Sequence, residues 1–388
     1  AQARLLALVA PLAAEEVPVA QALGRFLAMP LIARRTQPPA DLSAMDGYAL
    51  GGTETAGPWR VIGESAAGHP FTGTVAPGEA VRISTGAIMP AGAETVLLQE
   101  DAEREGECLT LSGEAPTPGR HIRRAGFDFR TGQDLLGKGT RVSPAVVGLA
   151  LSAGHATLTV HRRPKIAVID SGDELAADPT HCADHQIPAS NGPMLEAMLA
   201  ALPCTVTRIG PVADDLPALA AALEQASGAD LIVTSGGASV GDHDLIRPAL
   251  EAWGAQLAFW RVAMKPGKPL MVAKRGPQWV LGLPGNPVSS YVTALLFLLP
   301  LVRALLGASD PLPRKGEAIS KAALPAGGKR LEFLRAFWDG RHIAPIGEQD
   351  SSALRALSAT NALIERPIGS APVSVGDTVP FYLLESGG

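Results

Sequence analysis

The stretch that most constrains the fold is residues 230–287. There a β-branched apolar run, Leu231-Ile232-Val233, opens into a loop holding Gly236, Gly237 and Gly241, and a helical pattern begins near Asp244. A strand passing through a glycine loop into a helix N-terminus makes an anion site. Glycine lets the backbone approach a phosphate, and the free N–H groups and the helix dipole favour negative charge. Further on, Lys265-Pro-Gly-Lys268-Pro is a stiff cationic turn with Arg261 just before it. Gly282-Leu-Pro284-Gly285-Asn286-Pro287 is a second rigid turn, ahead of a long apolar run. Asp242 and Asp244 stand where the anion should bind, and carboxylates repel phosphate unless a hard cation intervenes. Magnesium is commonly held by one or two carboxylates plus substrate phosphates. The local reading is a phosphorylated ligand, a magnesium ion and lysines that balance charge. For the glycine loop alone, an ordinary βα turn with surface charges is the alternative.

Around this segment the pattern alternates. KIAVID (165–170) reads as a buried strand ending at Ser171-Gly-Asp173-Glu174. A helix is expected over 191–202, then strand TVTRIG, a helix over 214–226, strand LIVTS and the helix after Asp244. Strands alternating with helices imply right-handed βαβ units and a parallel sheet, whose ligands bind beyond the carboxyl ends of the strands. Glu174, Asp214 and Asp244 each follow a strand, so all three should project from one edge.

The chain before this unit reads differently. Residues 3–27 are expected to be helical, split by Pro11 and Pro18. Asp46-Gly47 marks a tight turn. From Trp59 to Leu111 short strands alternate with glycine and proline, and Ser84-Thr85-Gly86 ends one of them, either as an anion contact or as a simple turn. Arg120 to Gly139, with Asp128 in the middle, reads as a solvated basic loop. A helix capped by Ser143 with Pro144 in its first turn follows, then strand TLTVHR. After a linker beyond Gly307, residues 316–388 carry short strands and several glycines, which suggests a small barrel holding Ser351.

A chain of 388 residues, 46% apolar and 18% charged, is globular and long enough for two to four domains. With 33 basic against 38 acidic residues the net charge is −5, which gives no electrostatic case for nucleic acid. Three scattered cysteines form no CxxC pair, so neither a disulfide framework nor a zinc ribbon is indicated, and a reducing cytoplasm fits. His181-Cys182-Ala-Asp184-His185 has metal-ligand residue types, yet no fourth ligand pairs with it and a variable loop is the favoured reading. The N-terminus shows no signal-peptide cleavage pattern. The apolar run at 288–307 is interrupted by Ser289, Ser290, Thr293, Pro300 and Arg303, so a buried helix is expected there and no membrane span.

Six motifs in order, SAMDGYA (43–49), RISTGAIMP (82–90), SGDEL (171–175), TSGGASVGDHD (234–244), KPGKP (265–269) and GLPGNPVS (282–289), resemble the MoeA / gephyrin E-domain family, the molybdopterin molybdenumtransferases. The resemblance covers nearly the whole chain. It implies a multidomain α/β protein, with an elongated linking region (1–45 and 135–164) and a small β-rich domain (46–134). A MogA-like parallel α/β domain (165–310) binds molybdopterin, and a C-terminal β-barrel (316–388) follows. It also implies an elongated homodimer with its active-site cleft between subunits. The implied reaction inserts molybdate into adenylylated molybdopterin with release of AMP, in a Mg2+-dependent step. Position by position, the resemblance gives Asp46, Thr85, Asp128, Glu174, Asp214, Asp244 and Lys265 as catalytic. Of these, Glu174, Asp214 and Asp244 are the metal ligands. Substrate contacts are assigned to Ser235, Gly236, Gly237, Gly241, Asp242, Arg261, Lys268, Pro284, Gly285, Asn286 and Ser351. Where some family members carry lysine after a Phe-Trp pair, this chain has Arg261, which keeps the charge but replaces an ammonium with a planar fork. Two other activities are weighed against insertion. One is adenylylation of molybdopterin by ATP, whose single-domain family shares the TSGG loop; the other is a dimeric scaffold with no catalysis. A molybdopterin adenylyltransferase and molybdoenzymes are the expected partners.

Overall fold

A computed structural model describes residues 1–236 and 245–384. Gly237, Gly241, Asp242 and Asp244, expected in the site, lie outside the described residues. The central unit is a six-stranded sheet in the order Thr205–Val212, Lys165–Ser171, Leu231–Ser235, Gln278–Leu283, Met271–Arg275, Gln256–Trp260. The first four strands run parallel, as the alternation requires. The last two add antiparallel, so the sheet is mixed. The period-2 alternation of a strand divides its side chains between two cores. Ile166, Val168, Leu231 and Val233 face Leu195, Leu199 and the apolar helix on one side. Ala167, Ile169 and Ile232 face Leu219, Leu223, Ile246 and Leu250 on the other.

That apolar helix, Pro287–Leu305, is long and apolar enough to cross a membrane, but 83% of its apolar window is buried inside the protein. It contains a π turn at Ala294–Leu298 and supplies more of the larger core than any other element. The shorter helices follow their caps. Ser143 Oγ accepts from the Val146 N–H at the start of Pro144–Ser152, and Asp215 accepts from Ala218 at the start of Leu216–Gln225.

One expectation fails at the N-terminus. Helix is confined to α-helix Gln2–Leu6 and a 3-10 turn at Val19–Gln21, and Ala14–Pro18 is a strand antiparallel to Thr157–His161. Pro11 and Pro18 deny a helix its hydrogen bonds, and the sheet partner waits far along the chain. Leu31–Ile32 pairs likewise with Asp134–Leu136, so the two ends of the linking region are woven together. The short helix leaves this region to pack on the central unit. Leu5 is buried in its core, and the Gln2 side-chain amide donates to the Leu296 carbonyl at 2.6 Å.

Residues 47–111 form a separate six-stranded sheet, ordered Ala93–Leu98, Gly47–Gly51, Glu79–Ile83, Trp59–Ser65, Cys108–Leu111, Ala102–Glu105. The C-terminal strands close a five-stranded barrel. Leu331–Trp338 pairs with His342–Pro345, which meets Lys315–Ser320, then Thr378–Leu383, then Ala362–Arg366, which returns to Leu331–Trp338. The strand Met264–Lys265, from the central unit's sequence, lies parallel against Leu331–Glu332 and fills the rest of that seam.

Candidate active site

At the carboxyl edge of the parallel strands the backbone is bare. Gly236 follows Leu231–Ser235 with φ +101°, and a Cβ there would lie 2.4 Å from the Ser171 carbonyl oxygen. Only glycine fits. Across from it the atom nearest to a Cβ on Gly285 is the Gly236 Cα, at 3.6 Å, so the two glycines face one another and Gly285 is exposed. Asn191, at the start of helix Asn191–Leu199, donates its amide to the Gly285 carbonyl at 2.6 Å. The buried hydroxyls of Ser171, Thr234 and Ser235 find no partner among the described residues. Buried hydroxyls are normally paired, so unpaired ones at a strand edge are available to a ligand.

Glu174 and Asp214 project from neighbouring strand ends, as the alternation predicts. The Asp214 N–H donates to Asp173 Oδ1 at 3.1 Å, and the Glu174 side chain folds over Gly172, where a Cβ would meet Oε2 at 2.5 Å. Behind them Asp170 is buried. Burial pushes its carboxyl up to about 6, against the opposing pull of Arg208 and the Gly192 N–H.

The barrel contributes at this edge too. Asn286 Nδ2 donates to Ser351 Oγ at 2.9 Å, and the Val288 N–H donates to the Ser351 carbonyl at 3.1 Å. Lys265 stands on the seam strand, with Nζ 3.5 Å from Glu332 Oε1. Lys268 is exposed on the same turn, while Pro284 is buried in the other. A Cβ on Gly267 would lie 2.4 Å from Thr293 Cγ2, so the turn sits directly on the long helix. Arg261, at φ +66°, stacks its guanidinium on the Trp260 ring, 4.0 Å from the centroid.

Asp46 and Thr85 meet on the other sheet. The Thr85 N–H donates to Asp46 Oδ1 at 2.7 Å. That bond and the Thr85 hydroxyl hold the Asp46 carboxyl below the usual carboxylate range, with Arg82 adding to the effect. Asp128 is exposed near the end of the 46–134 segment, its N–H donating to the carbonyl of Gln37 in the linking region at 3.0 Å. The expected site residues thus gather mainly in two places, the carboxyl edge of the central sheet with the barrel beside it and the Asp46–Thr85 pair on the 47–111 sheet, while Asp128 stands apart from both. Residues 181–185 are exposed, and just before them Asp178 accepts from Thr180 and contacts His181 at 2.8 Å. Among the described residues no group of three or more His, Cys, Asp or Glu side chains is arranged to hold a metal ion.

Sequence reading missed Asn191, Glu332 and Arg335. Arg335 carries a usable signal. In LEFLRAFW it shares a strand face with Phe333, and an arginine on an inward face needs a partner.

Three family models cover the chain. The MoeA N-terminal region (domain I and II) matches residues 1–154, a probable molybdopterin binding domain matches 167–304, and the MoeA C-terminal region (domain IV) matches 317–384. The chain belongs to the MoeA family. A molybdopterin molybdenumtransferase of Haemophilus influenzae is 34% identical over 378 residues, covering 95% of this chain and 93% of that protein. One of Bacillus subtilis is 33% identical, covering 95% and 90%. The crystal structure of the molybdopterin biosynthesis MoeA protein of Pyrococcus horikoshii superposes with a TM-score of 0.85 at 28% identity, covering 99% of this chain and 98% of that one. The MoeA architecture therefore extends over all the sheets described above.

Proposed function

We propose that the protein is a molybdopterin molybdenumtransferase that inserts molybdate into adenylylated molybdopterin and releases AMP. The observation that carries this reading is the glycine pair, half-buried Gly236 facing exposed Gly285, with the barrel's Ser351 bonded beside it at Asn286. A pyrophosphate can lie against bare backbone there, close to the Ser171 and Ser235 hydroxyls, which have no partner among the described residues. Lys265, Lys268 and Arg261 position the anionic substrates and offset charge developing on the leaving phosphate. The oxygen-only donor set fits a hard cation, and Glu174, Asp214 and Asp244 are the residues that would hold Mg2+. When bound, the ion supplies Lewis acidity and a template for the phosphates. Asp46 stays ionised at neutral pH and fixes the Thr85 backbone.

In this reading the four units have the bounds set out from the sequence and the active form is a cytoplasmic homodimer. The small β domain of one subunit brings Asp46 and Thr85 to the strand edge of the other. A molybdopterin adenylyltransferase supplies the substrate. The test is to incubate the protein with adenylylated molybdopterin and Mg2+ and to measure AMP with and without molybdate. Molybdate-dependent AMP release is expected. No release identifies a scaffold, and adenylylated product from ATP and unmodified molybdopterin identifies an adenylyltransferase.

A further inference from the structure

Arg335 is the most deeply buried charged side chain of the barrel among the described residues, at 2% exposure. A guanidinium removed from water must have its donors satisfied. Here they are met by one loop. Nη2 donates to the Asp350 carbonyl at 2.9 Å and Nη1 to the Ala353 carbonyl at 3.1 Å. These two carbonyls flank Ser351. Gln349, in the same loop, binds back to the arginine's own backbone. Its Oε1 accepts from the Arg335 N–H and its Nε2 donates to the Arg335 carbonyl, both at 3.0 Å. The strand is rigid, because Arg335 sits mid-way along Leu331–Trp338 and is paired with Leu363. The loop's far side is where Ser351 meets Asn286 and Val288.

We propose that Arg335, with Gln349, is a positioning residue of the transferase: it clamps the 349–353 loop to the barrel wall so that Ser351 is held at the Gly285-Asn286 turn where substrate binds. The proposal rests on Ser351 being a substrate contact. Barrel and central unit are thereby joined through a hydrogen-bonded chain, from Arg335 to the loop carbonyls, Ser351, Asn286 and the glycine pair. A clamp of this kind acts on substrate affinity, because it sets the place of a binding group and touches no reacting atom.

The test uses the full-length protein and measures KM and kcat for adenylylated molybdopterin beside the thermal midpoint. Ser351→Ala should raise KM. Arg335→Met should raise it by roughly tenfold, the scale of one lost charge-assisted hydrogen bond, because the loop that carries Ser351 loses its two carbonyl anchors. Arg335→Lys should recover part of the loss. Gln349→Ala, an exposed change, should raise KM with the midpoint kept, which covers the case that Arg335→Met folds poorly. On a Ser351→Ala background Arg335→Met should add nothing further to KM. If Ser351→Ala raises KM while Gln349→Ala and folded Arg335→Met leave it unchanged, the clamp is overturned and Ser351 keeps its role. The clamp also falls if the Arg335 and Ser351 effects multiply. If Ser351→Ala changes neither constant, the reading of Ser351 fails and the proposal fails with it.

Discussion

Asp170 shows how a single buried group leaves a mark on the whole protein. Its folded pKa of about 6 exceeds the ordinary 3.8, so the folded state holds the proton more tightly than the unfolded chain. The associated stability is complete below 3.8 and is lost as pH rises through about 6. Asp170→Asn keeps an acceptor for the Gly192 N–H and removes the charge. It should stabilise the protein at pH 7 by up to about 3 kcal/mol, with the gain vanishing below pH 4, as measured by urea unfolding across pH. A stabilisation independent of pH would exclude the titration as its cause. The two facing glycines predict a contrast. Gly236→Ala forces a left-handed residue against the Ser171 carbonyl and should cost about 1–3 kcal/mol in thermal or urea unfolding. Gly285→Ala meets only ordinary contact and should keep the midpoint while weakening substrate binding. At this scale the sequence was readable where chemistry is local, as in the Ser143 cap. The Asp46–Thr85 bond was not, because a turn aspartate and a strand-end threonine each look commonplace until the sheet aligns Gly47 with Ile83.

Among the elements, the βα alternation of 165–252 was legible because buried strands and amphipathic helices differ in period. The N-terminal segment was not. Its valines and leucines fit either period, and the choice was made by Thr157–His161, a partner more than a hundred residues away. The antiparallel pair Gln256–Trp260 and Met271–Arg275 was hidden for a similar reason, since its place at the sheet is set by pairing with Gln278–Leu283 and by nothing in its own period. The Pro287–Leu305 helix was legible as buried because polar residues interrupt its run. Leu301 is fully buried in it, against the larger core. Leu301→Ala should destabilise the protein by about 2–5 kcal/mol in urea unfolding, with kcat of the remaining folded enzyme unchanged. A cost below 1 kcal/mol would mean that the core collapses into the gap.

For the molecule as a whole, the two gathering places of site residues lie on different sheets, and the proposed dimer unites them. Mixing subunits tests this. Asp46→Ala and Lys265→Ala proteins should each be inactive, yet unfolding and refolding them together in equal amounts should restore about one quarter of wild-type turnover. Half the dimers are then mixed, and each of these carries one intact site. No recovery would place Asp46 and Lys265 in the same subunit's site. The residue pattern of one chain does not display such an arrangement; only the family resemblance implied it.

The strand Met264–Lys265 lies in the barrel seam although its codons sit far upstream of the barrel's own. A recombination that exchanged the C-terminal module between relatives would therefore also exchange the wall against which this lysine rests, Glu332 included. The two stretches of gene are bound to drift in concert, and a hybrid joined at the linker inherits a mismatch at a position that the junction never touched.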